Sequence, residues 1–247
     1  MRNIKLIISY DGTNYHGWQI QGDRPTIQGI IESKLRMITG EEIRVTASGR
    51  TDAGVHAIKQ VANFKTRSDL KPLDIKKALN SLLPEDIYIK DAEYVSLDFH
   101  ARYMARSKTY EYRILNRKEP DIFTRKYHWH VLPPLNIEDM AKALSLIIGT
   151  HDFSSFRSSG SSVLSSVRTI FRAELILDQE TIGLLKIVME ANGFLRHMVR
   201  NIVGTIVQLG YGKIDLSKFR EIFALRDRRA AGIKAPAHGL FLIDVRY

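Results

Sequence analysis

The stretch Ser48-Gly49-Arg50-Thr51-Asp52-Ala53-Gly54-Val55-His56-Ala57 carries the residue types best suited to chemistry. It joins two apolar runs, Ile43-Arg44-Val45 and Val61-Ala62-Asn63-Phe64, and plain turn residues would suffice for that. Instead a cation, a hydroxyl and a carboxylate lie between two glycines. Glycine permits tight backbone geometry and close approach of a ligand. No other acidic residue lies within six positions of Asp52, so no near neighbour could share a metal with it. A lone carboxylate framed in this way suits nucleophilic or general-base work. The same residues also fit a simple connector, with Asp52 capping a turn and Arg50 a solvated charge.

Two further stretches could serve such a carboxylate. In Phe99-His100-Ala101-Arg102-Tyr103-Met104-Ala105-Arg106-Ser107-Lys108-Thr109-Tyr110-Glu111-Tyr112-Arg113, cations alternate with aromatic rings. Cations meet phosphates and ring faces stack on bases, at about 1–3 kcal/mol per stacked base. An ordinary amphipathic strand with half-buried tyrosines gives the same pattern, and Tyr112 reads better as core. In Asn192–Gly204, Leu195, Val199, Ile202 and Ile206 form the apolar side of a helix expected over about 195–209. Arg196 and Arg200 would share one edge of it at i, i+4, where like charges repel unless an anion sits near them. Two solvated arginines satisfy the pattern equally.

Other chemistries find little support. The chain has no cysteine, so disulfides, thiolate zinc sites and cysteine nucleophiles are impossible. His128 and His130 flank Trp129 and would share one side of a strand, but no third ligand stands at a telling spacing. No phosphate-binding loop, no GxGxxG fingerprint and no Gly-x-Ser-x-Gly elbow occurs. Ser158-Ser159-Gly160 reads as a loop. No metal and no cofactor is expected.

The elements that must position these residues follow from periodicity. Residues 4–10 alternate as a strand ending at the Tyr10-Asp11-Gly12 turn, and Asn14–Gln19 is a polar, aromatic loop. Ile27, Ile30, Ile31, Leu35 and Ile38 mark a helix with Thr26 as N-cap and Gly40 as its stop. Strands are expected at 43–47, 60–65 and 87–95, with a second helix between Pro72 and Pro84. Past residue 105 the order recurs: a strand at 107–116, a helix after Pro133-Pro134, a long loop over 150–166, strands at 168–177 and 184–191, two helical patterns, and a closing strand at 240–246. The fold class is α+β: two ferredoxin-like, RRM-like β-α-β-β-α-β halves with mainly antiparallel sheets, expected to join as one central sheet. The expected domains are 1–105 and 106–247.

The 247 residues carry 37 basic and 27 acidic side chains, a net charge of +10. The first half contributes +2 and the second +8. This balance points to a polyanion, most often a nucleic acid. No apolar run is long enough to span a membrane, and the N-terminus lacks a signal-peptide pattern, so a cytoplasmic location is the expectation.

The blocks Ser48–Ala57, Tyr10-Asp11-Gly12 with Tyr15-His16-Gly17-Trp18-Gln19, Asp98-Phe99-His100-Ala101-Arg102, Asp152–Arg157 and His197–Gly204 together resemble the TruA family of tRNA pseudouridine synthases. The resemblance implies isomerisation of uridine to pseudouridine at positions 38, 39 and 40 of the tRNA anticodon stem-loop. It implies Asp52 as nucleophile, Tyr110 as a substrate-binding residue and Arg200 as the basic residue paired with the aspartate. Arg50, Phe99, His100, Arg102, Tyr103, Ser166 and Arg168 are the expected RNA-binding set. A homodimer without metal or organic cofactor is implied as well. Two other classes compete. A non-catalytic RNA-binding module would leave the Asp52 loop unexplained, and a nucleic-acid glycosidase would want a second carboxylate.

Overall fold

A computed structural model describes residues 1–158 and 165–247, so Ser159-Gly160 of the serine-rich loop lies outside the described residues. The chain is mixed α+β and divides into two compact units. The first comprises Met1–Arg106 together with Phe241–Tyr247, and the second Ser107–Leu240. The strand at the end of the chain therefore clusters with the first unit, although in sequence order it closes the second half.

The first unit runs β1 (Arg2–Tyr10), α1 (Ile27–Thr39), β2 (Thr46–Ala47), β3 (His56–Thr66), α2 (Pro72–Leu82) and β4 (Ile87–Val95). β1 pairs antiparallel with both β4 and β3, and β2 pairs antiparallel with β3. The lateral order β4-β1-β3-β2 is that of a ferredoxin-like sheet, as the split βαβ pattern predicts. Ile4, Leu6 and Ile8 of β1, Ile27, Ile31 and Leu35 of α1, and Ile75 and Leu79 of α2 are all fully buried and make up the unit's core. The Thr26 hydroxyl caps α1 by accepting the Gly29 N–H, and Gly40 ends it at φ +72°.

β2 is shorter than the run 43–47 predicts, and the cause is local. The Val45 N–H donates to Glu32 Oε1 at 2.8 Å, and the Val45 carbonyl accepts from Gln28 Nε2 at 3.1 Å. Side chains of α1 thus take the hydrogen bonds that a sheet partner would otherwise supply. Ile43 and Val45 stay buried without being strand. The last strand of the chain, β10 (Leu240–Arg246), lies parallel to the start of β3 through Phe241 and Leu242.

The second unit contains β5 (Ser107–Leu115), β6 (Trp129–His130), α3 (Ile137–Leu146), β7 (Gly149–Asp152), β8 (Val167–Leu177), β9 (Leu184–Ala191), α4 (Met198–Gly210) and α5 (Leu216–Leu225). Its sheet is ordered β5-β9-β8-β7, all antiparallel, with β6 parallel to the end of β5. β7 and a 3-10 turn at Ser154–Phe156 occupy part of the segment expected as loop. Every residue of α4 is buried. A helix with no solvent face belongs to a core. It begins at Met198 rather than Leu195, because His197 adopts φ +62°. Arg196 consequently lies outside the helix, and the shared edge expected for Arg196 and Arg200 does not form.

Residues Arg228–Ala235 run back across α4 as a strap. Gly232 donates its N–H to Thr205 Oγ1 at 2.9 Å, and Ala235 donates its N–H to the Arg200 carbonyl at 3.1 Å. A Cβ on Gly204 would stand 1.8 Å from the Ile233 carbonyl oxygen. Helix propensity favours Gly204→Ala by about 1 kcal/mol, whereas overpacking costs about 1–3 kcal/mol or more. Because the obstacle is backbone, the second effect should win. Gly204→Ala should lower the urea midpoint, and a midpoint at or above the parent's would show that the strap lifts freely.

Candidate active site

Asp52 stands on a turn held from two sides within the first unit. Its carbonyl accepts the Val55 N–H at 3.1 Å, and Gly54 supplies φ +76°, a left-handed conformation that side chains disfavour. Beneath the turn, Gln60 of β3 is fully buried. Its Oε1 accepts from Ser48 Oγ at 2.7 Å, and its Nε2 donates to the Gly49 carbonyl at 2.9 Å. The Tyr10 and Thr51 hydroxyls share a hydrogen bond of 2.8 Å.

The 11–18 segment clamps the turn from its other side. Trp18 N–H donates to the Thr51 carbonyl at 3.0 Å, and Gly54 N–H to the Tyr15 carbonyl at 3.3 Å. The backbones meet without intervening side chains. A Cβ on Gly17, which has φ +84°, would lie 2.5 Å from the Thr51 oxygen, and one on Gly12 would lie 2.0 Å from the Val55 oxygen. Thr51 and Val55 are buried, Asp52 is half-buried, and Arg50 and Ala53 are exposed. The turn is fixed at its flanks while the carboxylate retains access to solvent. Preorganisation of this kind is what a nucleophile or base requires.

His56 enters β3 directly after the turn, buried and stacked on Phe241 with ring centroids 4.6 Å apart. Its Nδ1 lies 3.1 Å from the Gly12 nitrogen and 3.0 Å from Asp11 Oδ1. A neutral ring with a bare Nδ1 accepts the Gly12 N–H, whereas a ring protonated there donates to Asp11.

The RNA-directed candidates of this unit form one knuckle after β4. Asn3 Nδ2 donates to the carbonyls of Ser96 and Phe99 at 2.8 and 2.9 Å. Asn63 accepts the Ala101 N–H at 2.9 Å and donates to Asn3 Oδ1 at 2.9 Å. This buried amide pair fixes the backbone of 96–101. Phe99 packs on Tyr247 at 4.9 Å, and His100 Nδ1 accepts the N–H groups of Arg102 and Tyr103. The outward side is a stack. Arg102 lies 5.6 Å over the Tyr103 ring, which is 75% exposed, and the His100 ring is 4.3 Å from it. Arg50 belongs to the Asp52 turn and not to this knuckle.

In the second unit Tyr110 lies in β5 opposite Met189, buried, its ring edge-to-face with Phe194 at 5.2 Å. Phe194 follows Gly193, and the place of a Cβ on Gly193 is 3.8 Å from Arg168 Nε. Tyr110 and Phe194 are thus in contact, and Arg168 lies beside Gly193, with half-buried Ser166 two residues before Arg168. Burial holds the Arg168 guanidinium below its ordinary pKa. Phe194 is not among the residues singled out from sequence; an aromatic directly after Asn192-Gly193 was the available signal. Tyr112 is core, wholly buried with its hydroxyl donating to the Pro236 carbonyl at 2.8 Å. Arg200, in the first turn of α4, is buried and donates through Nε to the Ala235 carbonyl at 2.8 Å. Asn201 beside it donates to the Phe156 carbonyl and accepts from Arg228.

Among the described residues no group of three His, Asp or Glu side chains could hold a metal ion. His128 Nδ1 meets Thr124 Oγ1, and His130 Nε2 meets the Arg117 carbonyl. No helix is long and apolar enough to cross a membrane, among the described residues.

A family model described as tRNA pseudouridine synthase matches residues 6–104 and 143–247. Proteins named tRNA pseudouridine synthase A from Thermoanaerobacter sp. (strain X514) and from Acetivibrio thermocellus are each 48% identical over 247 residues, covering 100% of both chains. The tRNA pseudouridine synthase A 2 of Clostridium perfringens is 48% identical over 248 residues with the same coverage. Among solved structures, one chain of a Cbf5-Nop10-Gar1 complex aligns with 82% of this chain at 13% identity and a TM-score of 0.32, too slight a likeness to bear on the site.

The phenols beneath the Asp52 turn give it a pH dependence. Burial pushes Tyr10 up to about 12, its hydrogen bonds opposing only in part. Tyr15 is raised further, by burial first and then by its bond to the Asp86 carboxylate. A phenol whose folded pKa exceeds its unfolded value leaves stability unchanged below the unfolded pKa, near 10, and subtracts from it as pH climbs toward the folded value. Urea midpoints should therefore be level up to about pH 10 and fall between 10 and 12, by on the order of 2 kcal/mol for Tyr10 alone. A level profile through pH 12 would refute the burial of both hydroxyls.

Proposed function

Because the chain belongs to the tRNA pseudouridine synthase family, we propose that it converts uridine to pseudouridine at positions 38, 39 and 40 of the tRNA anticodon stem-loop, with Asp52 as the nucleophile. The observation that carries this reading is the Asp52 turn, pinned by backbone contacts at Thr51 and Val55 while the carboxylate between them stays accessible.

The chemistry needs little else. The C1′–N1 bond breaks, the detached uracil turns, C1′ joins C5, the C5 proton leaves and N1 gains one. Substrate and product are isomers, so no group is supplied from outside. Asp52 serves either by attacking C1′ or by taking the C2′ proton. The target base must leave its stack at a cost of a few kcal/mol. Tyr110 offsets part of that cost by packing on the extruded base, and Arg200 supports the reaction as a fixed cation whose orientation is set by the Ala235 carbonyl. Arg50, Phe99, His100, Arg102, Tyr103, Ser166 and Arg168 are proposed to hold the RNA. In the knuckle the outward Arg102–Tyr103 pair would make the contact, while half-buried Phe99 and His100 support it. A cytoplasmic homodimer is the expected working form, and light scattering on the purified protein reads its mass directly.

Unmodified tRNA with uridine at 38–40, incubated with the parent protein and no added metal or cofactor, should gain pseudouridine there, mapped by carbodiimide treatment and primer extension. Asp52→Asn should bind the same tRNA and form no product. Product from both proteins would remove Asp52 from the mechanism. Tight binding by the parent without product would favour a pure RNA-binding module, and release of free uracil a glycosidase.

The supporting cation has its own test. Arg200→Lys keeps the charge but loses the Nε–H that meets Ala235. It should lower the single-turnover rate on bound tRNA by tenfold or more and change tRNA affinity by less than threefold. An unchanged rate would reduce Arg200 to a structural residue.

A further inference from the structure

Residues 117–127 connect β5 to β6 and fall between the two stretches that the family model matches. They carry Arg117, Lys118, Arg125 and Lys126 against Glu119 and Asp121. At their tip Phe123 is 87% exposed and Ile122 60% exposed. Among the described residues, Phe123 is the most exposed of the large apolar side chains. Leaving it in water forgoes about 1.5–3 kcal/mol that burial would return.

The tip is built rather than loose. At its base, Asn116 Nδ2 donates to the carbonyls of Val131 and Pro133 at 2.7 and 2.8 Å, and the His130 ring bonds the Arg117 carbonyl at 2.8 Å. Arg117 itself bonds the Glu119 carbonyl at 3.0 Å. At its summit, Asp121 Oδ1 accepts the N–H groups of Phe123 and Thr124 at 3.0 and 3.2 Å, and Tyr127 N–H closes a turn onto the Thr124 carbonyl at 2.8 Å. Thr124 Oγ1 reaches the buried ring of His128, and the Arg125 guanidinium donates to the Ile122 carbonyl. Asp121 is thus engaged with the tip's own backbone, and among the exposed charges Lys118, Arg125 and Lys126 outnumber Glu119. A ring already held in place loses little entropy when it meets a partner.

We propose that this tip is a further RNA contact, in which Phe123 stacks on an unpaired base of the bound tRNA while Lys118 and Arg125 meet the flanking phosphates. The inference rests on the tRNA-modifying reading. The choice of RNA over a protein or a lipid surface rests on charge: cations flank the ring, and the net charge of +10 is carried mostly by residues 106–247. Exposed aromatic rings set among cations are the stacking platforms of single-stranded nucleic-acid binders.

The test compares the parent with Phe123→Ala, Phe123→Trp and a Lys118→Ala/Arg125→Ala double variant. Affinity for unmodified tRNA is measured at two salt concentrations, and single-turnover product formation is followed at saturating protein. Phe123→Ala should weaken binding roughly five- to hundredfold, the worth of one stacked base, without altering the rate on bound tRNA. Phe123→Trp should restore affinity, with indole fluorescence quenched as tRNA is added. The double variant should flatten the salt dependence. Because the ring is exposed, none of these changes should alter the thermal midpoint.

Unchanged tRNA affinity in Phe123→Ala, while the parent makes product, would overturn this proposal and leave the enzymatic reading intact. A parent that neither binds nor modifies tRNA would overturn both. A fall in molecular mass in Phe123→Ala without loss of affinity per chain would assign the tip to contacts between copies, and association of the parent alone with anionic vesicles would assign it to a lipid surface; either result overturns the proposal.

Discussion

The first unit depends on two backbones meeting where no side chain fits. Gly12 and Gly17 let the 11–18 segment rest directly on the carbonyls of Thr51 and Val55. The hydrogen bonds from Trp18 and Gly54 then tie segment and turn into one body. Nothing larger than hydrogen is tolerated at those two α-carbons, so the geometry of the Asp52 turn is inherited from a loop about forty residues away in sequence. α1 is tied to the same arrangement: Ile27 and Gln28 donate their N–H groups to the Gly17 and Trp18 carbonyls. The helix N-terminus, the clamp and the turn therefore stand or fall together.

The second unit solves a related problem with charge. α4 is buried along its whole length yet carries Arg200, Asn201, Thr205 and Gln208. Each of the first three finds a fixed partner, in the strap, the 3-10 turn or the helix's own carbonyls. A buried guanidinium costs several kcal/mol to desolvate unless its donors are met. Its orientation is then fixed to the same degree that its burial is tolerated.

Much of this was legible in the chain. The order of the main strands and helices and the Thr26 and Gly40 caps followed from periodicity and turn chemistry. What escaped was long-range. β2 is short because Glu32 and Gln28, more than ten residues upstream, claim the Val45 backbone. The start of α4 is displaced by the left-handed backbone of His197, which no propensity announces. Gln60, read only as the first residue of a strand, is in the fold the prop beneath the turn. The Asn3–Asn63 pair that shapes the Phe99–Tyr103 knuckle joins residues sixty positions apart, and such pairings leave no local trace. Thr150–Asp152 read as loop because a strand of this length carries too few residues to show alternation.

The assignment of Phe241–Tyr247 to the first unit bears on how the protein is made. On the ribosome, Met1–Arg106 emerges before any of Ser107–Leu240, and domains generally fold as they appear. Here the early unit must wait. Until residues 241–247 are synthesised, the start of β3 lacks its parallel neighbour, His56 lacks the ring on which it stacks, Lys59 lacks Asp244, and the Ala101 carbonyl lacks the Tyr247 hydroxyl. The nascent first unit therefore presents an open strand edge throughout translation of the second, the kind of surface that chaperones cover and that aggregation exploits. Its completion is a late, non-local event, and it ties maturation of the Asp52-bearing unit to translation of the whole intervening chain.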